Sequence, residues 1–309
     1  MFDRDQLETF ATIAEEQSFE RAASLLNITR GAVSQRIRGL EESFGTVLLV
    51  REKPVAPTSA GEILLRHVKA LRLLEGSTLR DLLPEANPKS PVPLAIAVNA
   101  DSLATWFSNV LRALLSEKRI ALEVVADDQD HTSARLIRGE VVGCISTDAK
   151  AASGFVAEPL GAMEYRCYSN PDFAASHFAN GLTAPAVLGA AAVLFNRKDS
   201  LHDEFLQAYF GFAIERYAKH YLPSPAALLD GIVMGLGYGL APSQQAQPLV
   251  AAGQLLELAP QAPVLVDLFW HHWDIEPPLA QDISRLIVQE ARRQLLPYRQ
   301  REAALVEAA

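Results

Sequence analysis

Asn27–Gly45 reads NITRGAVSQRIRGLEESFG, three arginines with no acid among them, followed by Glu41 and Glu42. At 100° per residue, Val33, Ile37 and Leu40 form one apolar stripe, while Gly31, Ser34, Gln35 and Arg38 fall together on the opposite side with Arg30 and Arg36 flanking them. Thr29 is a natural N-cap for this helix. A basic polar stripe is unexpected in a chain of 309 residues with a formal net charge of −9. Residues 1–58 hold seven Lys or Arg against nine Asp or Glu, so the placement of the arginines carries the signal and their number does not.

Two shorter helices precede the stripe, one through Leu7, Phe10 and Ile13 and one through Ala22, Ala23 and Leu26, with breaks at Gln17-Ser18 and Asn27-Ile28. A short link between the second and third helices is the arrangement of a helix-turn-helix, whose second helix enters the major groove. Most charged helix faces are simply solvated. The residue types favour more here, because Arg and Gln make paired hydrogen bonds to guanine and adenine edges and Gly31 allows close backbone approach.

Composition bounds the rest. With 49% hydrophobic and 21% charged residues, the chain is of an ordinary globular type and long enough for two or three domains. No run approaches the roughly 18 apolar residues of a spanning helix, and MFDRDQLETF lacks a basic start followed by an apolar stretch, so we expect a cytoplasmic protein with no membrane partner. Cys144 and Cys167 are too few for a zinc cluster and read as packing residues. No cofactor is expected.

The motif "ERAASLLNITRGAVSQRIRGLEESFGTVLLVRE" followed by "PTSAGEILL" strongly resembles the LysR-type transcriptional regulators. The resemblance implies a winged helix-turn-helix on double-stranded DNA, a linker helix that pairs two subunits into a homo-oligomer, and action on RNA polymerase. It implies groove contact from Thr29, Arg30, Gly31, Ser34, Gln35 and Arg38, with Arg36 beside them, and phosphate contact from Arg51 and Lys53 on the wing. Family members commonly have proline where Gly31 stands.

From Thr58 or Ser59 the chain continues as a helix with Ile63, Leu64, Val68, Leu71, Leu74 and Leu82 as apolar positions. "PEANPKSPVP" then has four prolines in ten residues and reads as a hinge. Beyond it, strands (VPLAIAVN, IALEVVADD, VVGCIST) alternate with helices (DSLATWFSNVLRALLSE, TSARLIRGE), implying an α/β fold with a parallel sheet. A second round has strands near 165–168, 191–195 and 237–240, with helices from His202 and Ser224, before "VLVDLFWHHW" and a last helix after Pro278. Two such units joined by crossings near 160–165 and 260–268 resemble the two-lobed, periplasmic-binding-protein-like effector domain of the same family. The expected organisation is a winged helix-turn-helix (1–58), linker helix (59–83), hinge (84–92), lobe I (93–163 and 267–300) and lobe II (164–266).

"VNADSLATW", Val98–Trp106, with "RGEVVG" and "LGAMEY", is similar to the ArgP-like branch of the family. That similarity implies a lysine or arginine effector and control of a basic amino acid exporter gene. The residues are compatible: Asn99 and Ser102 at a helix start, and Ser224 at another, suit a carboxylate. Asp127 and Asp128 stand past a strand end where a cationic side chain needs an acid, Thr147 closes the next strand, and Trp106 and Phe195 would cover an aliphatic stem. Arg197 and Lys198 are expected to face outward. Asp127 and Asp128 could equally form a solvated turn, and a different small effector, or a scaffold with a vestigial cleft, stays open.

An enzyme is not supported. His271 and His272 are adjacent on a strand and point to opposite faces, so they do not share a metal ion. "GLGYG", 235–239, follows a helix and precedes a strand, the reverse of a dinucleotide fingerprint.

Overall fold

A computed structural model of the chain describes residues 3–82, 91–114, 120–126, 129–214 and 216–298. Its first three helices are α1 (Arg4–Glu16), α2 (Phe19–Leu25) and α3 (Arg30–Phe44). Each begins on a side-chain cap: Asp3 accepts from the Gln6 N–H, Ser18 from that of Arg21, and Thr29 from that of Ala32. The two breaks fall where Gln17 (φ 54°) and Asn27 (φ 53°) turn left-handed. Val33, Ile37 and Leu40 are buried with Leu7, Phe10, Ile13, Ala22 and Ala23, so the apolar stripe of α3 is spent inside the domain and its polar stripe faces out.

The wing is β1 (Leu49–Val50) paired antiparallel with β2 (Ala56–Pro57), and α4 (Ser59–Leu82) leaves directly from it. Gly61 makes that exit possible, because a Cβ there would stand 2.1 Å from the Leu48 carbonyl oxygen. Leu64, Leu65 and Val68 of α4 join the winged-domain core and Leu73 joins the core of the next domain. Ile63, Leu74, Leu79 and Leu82 stay exposed. Residues 84–90 of the expected hinge lie outside the described residues, and Val92 already begins a strand.

The C-terminal part comprises β3 (Val92–Val98), α5 (Ala100–Ala104), α6 (Phe107–Leu114), β4 (Ile120–Ala126), α7 (Gln129–Ile137), β5 (Gly143–Ser146) and β6 (Phe155–Ser169). It continues with α8 (Pro171–His177), α9 (Ala184–Gly189), β7 (Ala192–Leu194), α10 (Leu201–Phe210), β8 (Lys219–Tyr221) and α11 (Pro225–Val233). β9 (Gly239–Pro242), α12 (Ser243–Ala251), β10 (Leu256–Glu257), β11 (Val264–Trp273) and α13 (Pro278–Gln294) complete it.

The main sheet has the order β10-β6-β11-β5-β3-β4, with β9 also on β6. β3 is parallel to β4 and β5, as expected, but β11 runs antiparallel to both β5 and β6. The wholly parallel sheet is therefore corrected to a mixed one. β6 carries the chain out of lobe I and β11 carries it back alongside, so the two crossings oppose each other. The single helix expected from Asp101 also divides: Thr105 (φ −119°, ψ −105°) ends α5, and α6 restarts at Phe107. Separate apolar cores fill the two lobes, one around Ile96, Trp106, Phe107, Trp270 and Ile287, the other around Val187, Leu194, Leu206 and Tyr238 with a neighbouring cluster around Val193 and Ile232. Both cysteines are buried, and neither is in a disulfide among the described residues.

Candidate functional site

Two places collect residues whose polarity the fold itself does not use. The first is the outer face of α3. Thr29, Arg30, Gly31, Gln35 and Arg38 are exposed and Ser34 is half-buried. Arg30 leans on Glu20 at 3.1 Å, a solvated pair that leaves it free to move. Arg36 differs, since its guanidinium meets the Asp5 carboxylate at 2.6 Å and the Thr9 hydroxyl at 3.2 Å. It ties α3 to α1 at the flank of the outward-facing stripe. On the wing, Arg51 and Lys53 are exposed, and Glu41 steadies the loop by pairing with Arg51 at 2.9 Å while accepting from the Leu48 N–H.

The second is the seam between the lobes, where α5 packs against α11. A cavity of ≈ 30 Å³ lies there, lined by Asp101 from lobe I and by Phe195, Asp199, His202, Pro225 and Leu228 from lobe II. Asp101 accepts a 2.6 Å hydrogen bond from the Tyr165 hydroxyl, and Asp199 accepts from the Leu201 N–H at 3.0 Å. Burial pushes both carboxyls above their usual range, and Asp199 adds a like charge against Asp101. The Tyr165 phenol is raised by the same burial. Nearby, Asn99 Oδ1 and Ser102 Oγ are buried without a partner among the described residues.

Of the residues expected to hold an effector, Asn99 and Ser102 are buried at the start of α5 on either side of Asp101, and Phe195 lines the cavity. Trp106 does not: it is 1% exposed in the lobe I core, edge-on to Phe107 at 5.7 Å, because the break at Thr105 turns it inward. Thr147 is exposed beyond β5. Ser224 spends its hydroxyl on capping α11, accepting from the Ala227 N–H at 3.4 Å, and Pro225 lines the cavity in its place. Asp127 and Asp128 lie outside the described residues. Arg197 and Lys198 are exposed, Arg197 lying over the Tyr221 ring at 4.8 Å.

Sequence reasoning passed over Asp101, Asp199 and His202. Asp101 sits inside "VNADSLATW" and Asp199 inside "FNRKDS", both quoted for other residues. A second hollow, of ≈ 300 Å³, lies over α13. Its charged groups already pair, Arg292 with Glu158 at 2.9 Å and His272 with Glu276 at 3.2 Å, so the smaller seam is the better candidate. His271 turns the other way, its Nε2 at 2.7 Å from the Asp148 carbonyl, which keeps the two histidines on separate faces.

Comparison with known proteins agrees with this layout. Residues 4–62 match the family model for the bacterial regulatory helix-turn-helix protein, lysR family, and residues 90–292 match the LysR substrate binding domain. The HTH-type transcriptional regulator ArgP of Photobacterium profundum is 39% identical over 92% of this chain and 95% of its own length. ArgP of Pseudomonas aeruginosa is 40% identical over 88% of this chain and 90% of its own. The crystal structure of ArgP from Mycobacterium tuberculosis superposes with a TM-score of 0.87 at 33% identity, over 96% of this chain and all of that one. Full-length LysG from Corynebacterium glutamicum, with its effector Arg bound, gives 0.82 at 31% over the same shares. With a winged helix-turn-helix, a two-lobed effector domain and relatives matched nearly end to end, the chain belongs to the LysR family of bacterial DNA-binding transcriptional regulators.

Proposed function

We propose that this regulator takes a basic amino acid, arginine or lysine, between its lobes and uses it to control transcription of a basic amino acid exporter gene. The observation that carries the reading is the pair Asp101 and Asp199, two carboxylates that enter one small cavity from opposite lobes. Like charges in a desolvated seam oppose each other, and a cation between them relieves both the repulsion and the loss of water. An anionic effector would add to the repulsion, and a neutral one would leave it. The arginine held by LysG, a relative of the same architecture, supports the same chemistry.

Ser102 and Asn99 offer the unpartnered groups for the other end of such a ligand. The cavity is too small for an amino acid, so binding requires the lobes to part and re-close around it, and this is the motion that reaches the DNA-binding domains. Exposed Ile63, Leu74 and Leu82 on α4 supply an apolar strip through which two copies pair. Pairing raises the effective concentration of the second helix-turn-helix and sets the spacing at which Gln35 and Arg38 meet successive major grooves, placing the dimer beside RNA polymerase.

The test is thermal shift of the full-length protein with each of the twenty amino acids and with norleucine. Arginine or lysine at a hundred times its Kd is expected to add about 2.7 kcal/mol of stability. Norleucine, which has the stem without the cation, is expected to add little. Stabilisation by norleucine equal to that by lysine would refute the acidic cleft.

A further inference from the structure

His202 opens the first turn of α10 and is 2% exposed, yet among the described residues neither Nδ1 nor Nε2 has a hydrogen-bond partner. Buried ring nitrogens in native proteins are almost always paired, so one left with two empty positions is a group waiting for something. Its surroundings offer little of that kind. The ring lies 5.2 Å from that of Tyr238, 5.8 Å from Tyr217 and 6.4 Å from Phe205, centroid to centroid. The charged groups beside it have their own bonds: Asp203, the next residue on α10, is held by the Lys219 ammonium at 2.8 Å and by the Tyr217 hydroxyl. What His202 does share is the inter-lobe cavity, which it lines together with Asp101 and Asp199.

We propose that His202 is a specificity-determining residue of the cleft, accepting a hydrogen bond from the distal group of a bound basic amino acid and thereby favouring arginine over lysine. The inference rests on the reading of the cleft as a basic amino acid site. A neutral imidazole offers one acceptor nitrogen. Burial and the apolar wall keep the ring neutral, holding its pKa down to about 4. A guanidinium carries five N–H donors in one plane, so it can engage two carboxylates and still present a donor to a third acceptor. An ammonium has three donors in a tetrahedral array, and two carboxylates on opposite sides use its most accessible ones. The third acceptor therefore rewards the guanidinium.

Calorimetric titration of arginine and lysine into the full-length protein and His202→Phe tests this. Phenylalanine keeps a flat ring in the aromatic wall and removes both nitrogens. The parent is expected to prefer arginine, and H202F to lose roughly tenfold in arginine affinity with a smaller change for lysine, so the preference collapses. H202F is expected to melt no lower than the parent at neutral pH, which a merely structural histidine would not allow. His202→Gln, which retains an acceptor, is expected to keep part of the preference. Should H202F not fold, His202→Leu carries the same expectation. An unchanged arginine-to-lysine ratio in H202F or H202L, or a parent that prefers lysine, overturns the role of His202 while leaving the cleft reading intact. A parent that binds neither amino acid overturns the cleft reading itself.

Discussion

Gln35 and Arg36 are adjacent in the chain and leave α3 on different sides. Gln35 is exposed, so Gln35→Ala is expected to cost roughly 1–3 kcal/mol on the preferred DNA site and little on random sequence. Arg36 is tied to Asp5 and Thr9, so Arg36→Ala is expected to lower the melting temperature by an amount equivalent to about 0.5–1 kcal/mol, the pair being partly solvated. Gel-shift and thermal melts of the two variants separate these outcomes, and a specific-site loss larger for Arg36→Ala than for Gln35→Ala would reverse the assignment. His202 has its own signature. Its folded pKa lies below the unfolded value, so its burial costs nothing above about pH 6.5 and destabilises the fold as pH drops toward 4, on the order of 3 kcal/mol in all. His202→Phe is expected to flatten that part of the melting profile, the aspartates being common to both proteins. The sequence showed which residues of α3 face outward, because helix periodicity fixes it. It did not show that Arg36 would find Asp5, since that pairing depends on the angle at which α1 crosses α3, nor that Asp199 would meet Asp101, which requires the second lobe to fold back over the first.

At the scale of elements, α4 is where the domains are joined. Arg72 reaches Glu8 at 2.7 Å and Glu15 at 2.8 Å on α1, while Arg66 lies over the Phe155 ring at 4.7 Å and beneath Gly139 of the effector domain. Lys69 stands between them, burial lowering its pKa against the nearby Glu15 and Glu140. Arg72→Ala is expected to loosen the winged domain on α4 by about 1 kcal/mol and to raise the exchange rate of α1 amides relative to those of β3, as hydrogen exchange would show; equal exchange in both proteins would remove the clamp from the account. Gly61→Ala is expected to cost about 1–3 kcal/mol, because its Cβ meets backbone at the wing and backbone cannot rotate away. The Thr29 cap and the breaks at Gln17-Ser18 and Asn27-Ile28 were legible because the sequence states them locally, whereas the caps at Asp3 and Ser18 emerged only in the structure. The direction of β11 was not, since alternation of side chains is the same in parallel and antiparallel strands. The division of the helix after Asn99 was also hidden, because its apolar residues keep helical spacing across Thr105 and only the packing of Trp106 shows the turn.

At the scale of the molecule, the proposed cleft and the helix proposed to contact DNA are joined by α4, which touches both domains, and linkage between them follows if the two lobes take different positions with and without ligand. The cleft acids give that linkage a pH dependence. Burial raises Asp101 and Asp199, a bound cation favours their charged forms, and arginine affinity is therefore expected to weaken as pH falls through their raised range. The most direct test of the whole account is the Kd of the full-length protein for a DNA site selected from a random pool, measured by fluorescence anisotropy with and without saturating arginine, for the parent and for the double variant Asp101→Asn, Asp199→Asn. The account expects arginine to change the parent's Kd by roughly 5- to 150-fold and to leave that of the double variant unchanged. A parent whose Kd is the same in both conditions, or a double variant that responds as the parent does, would contradict it.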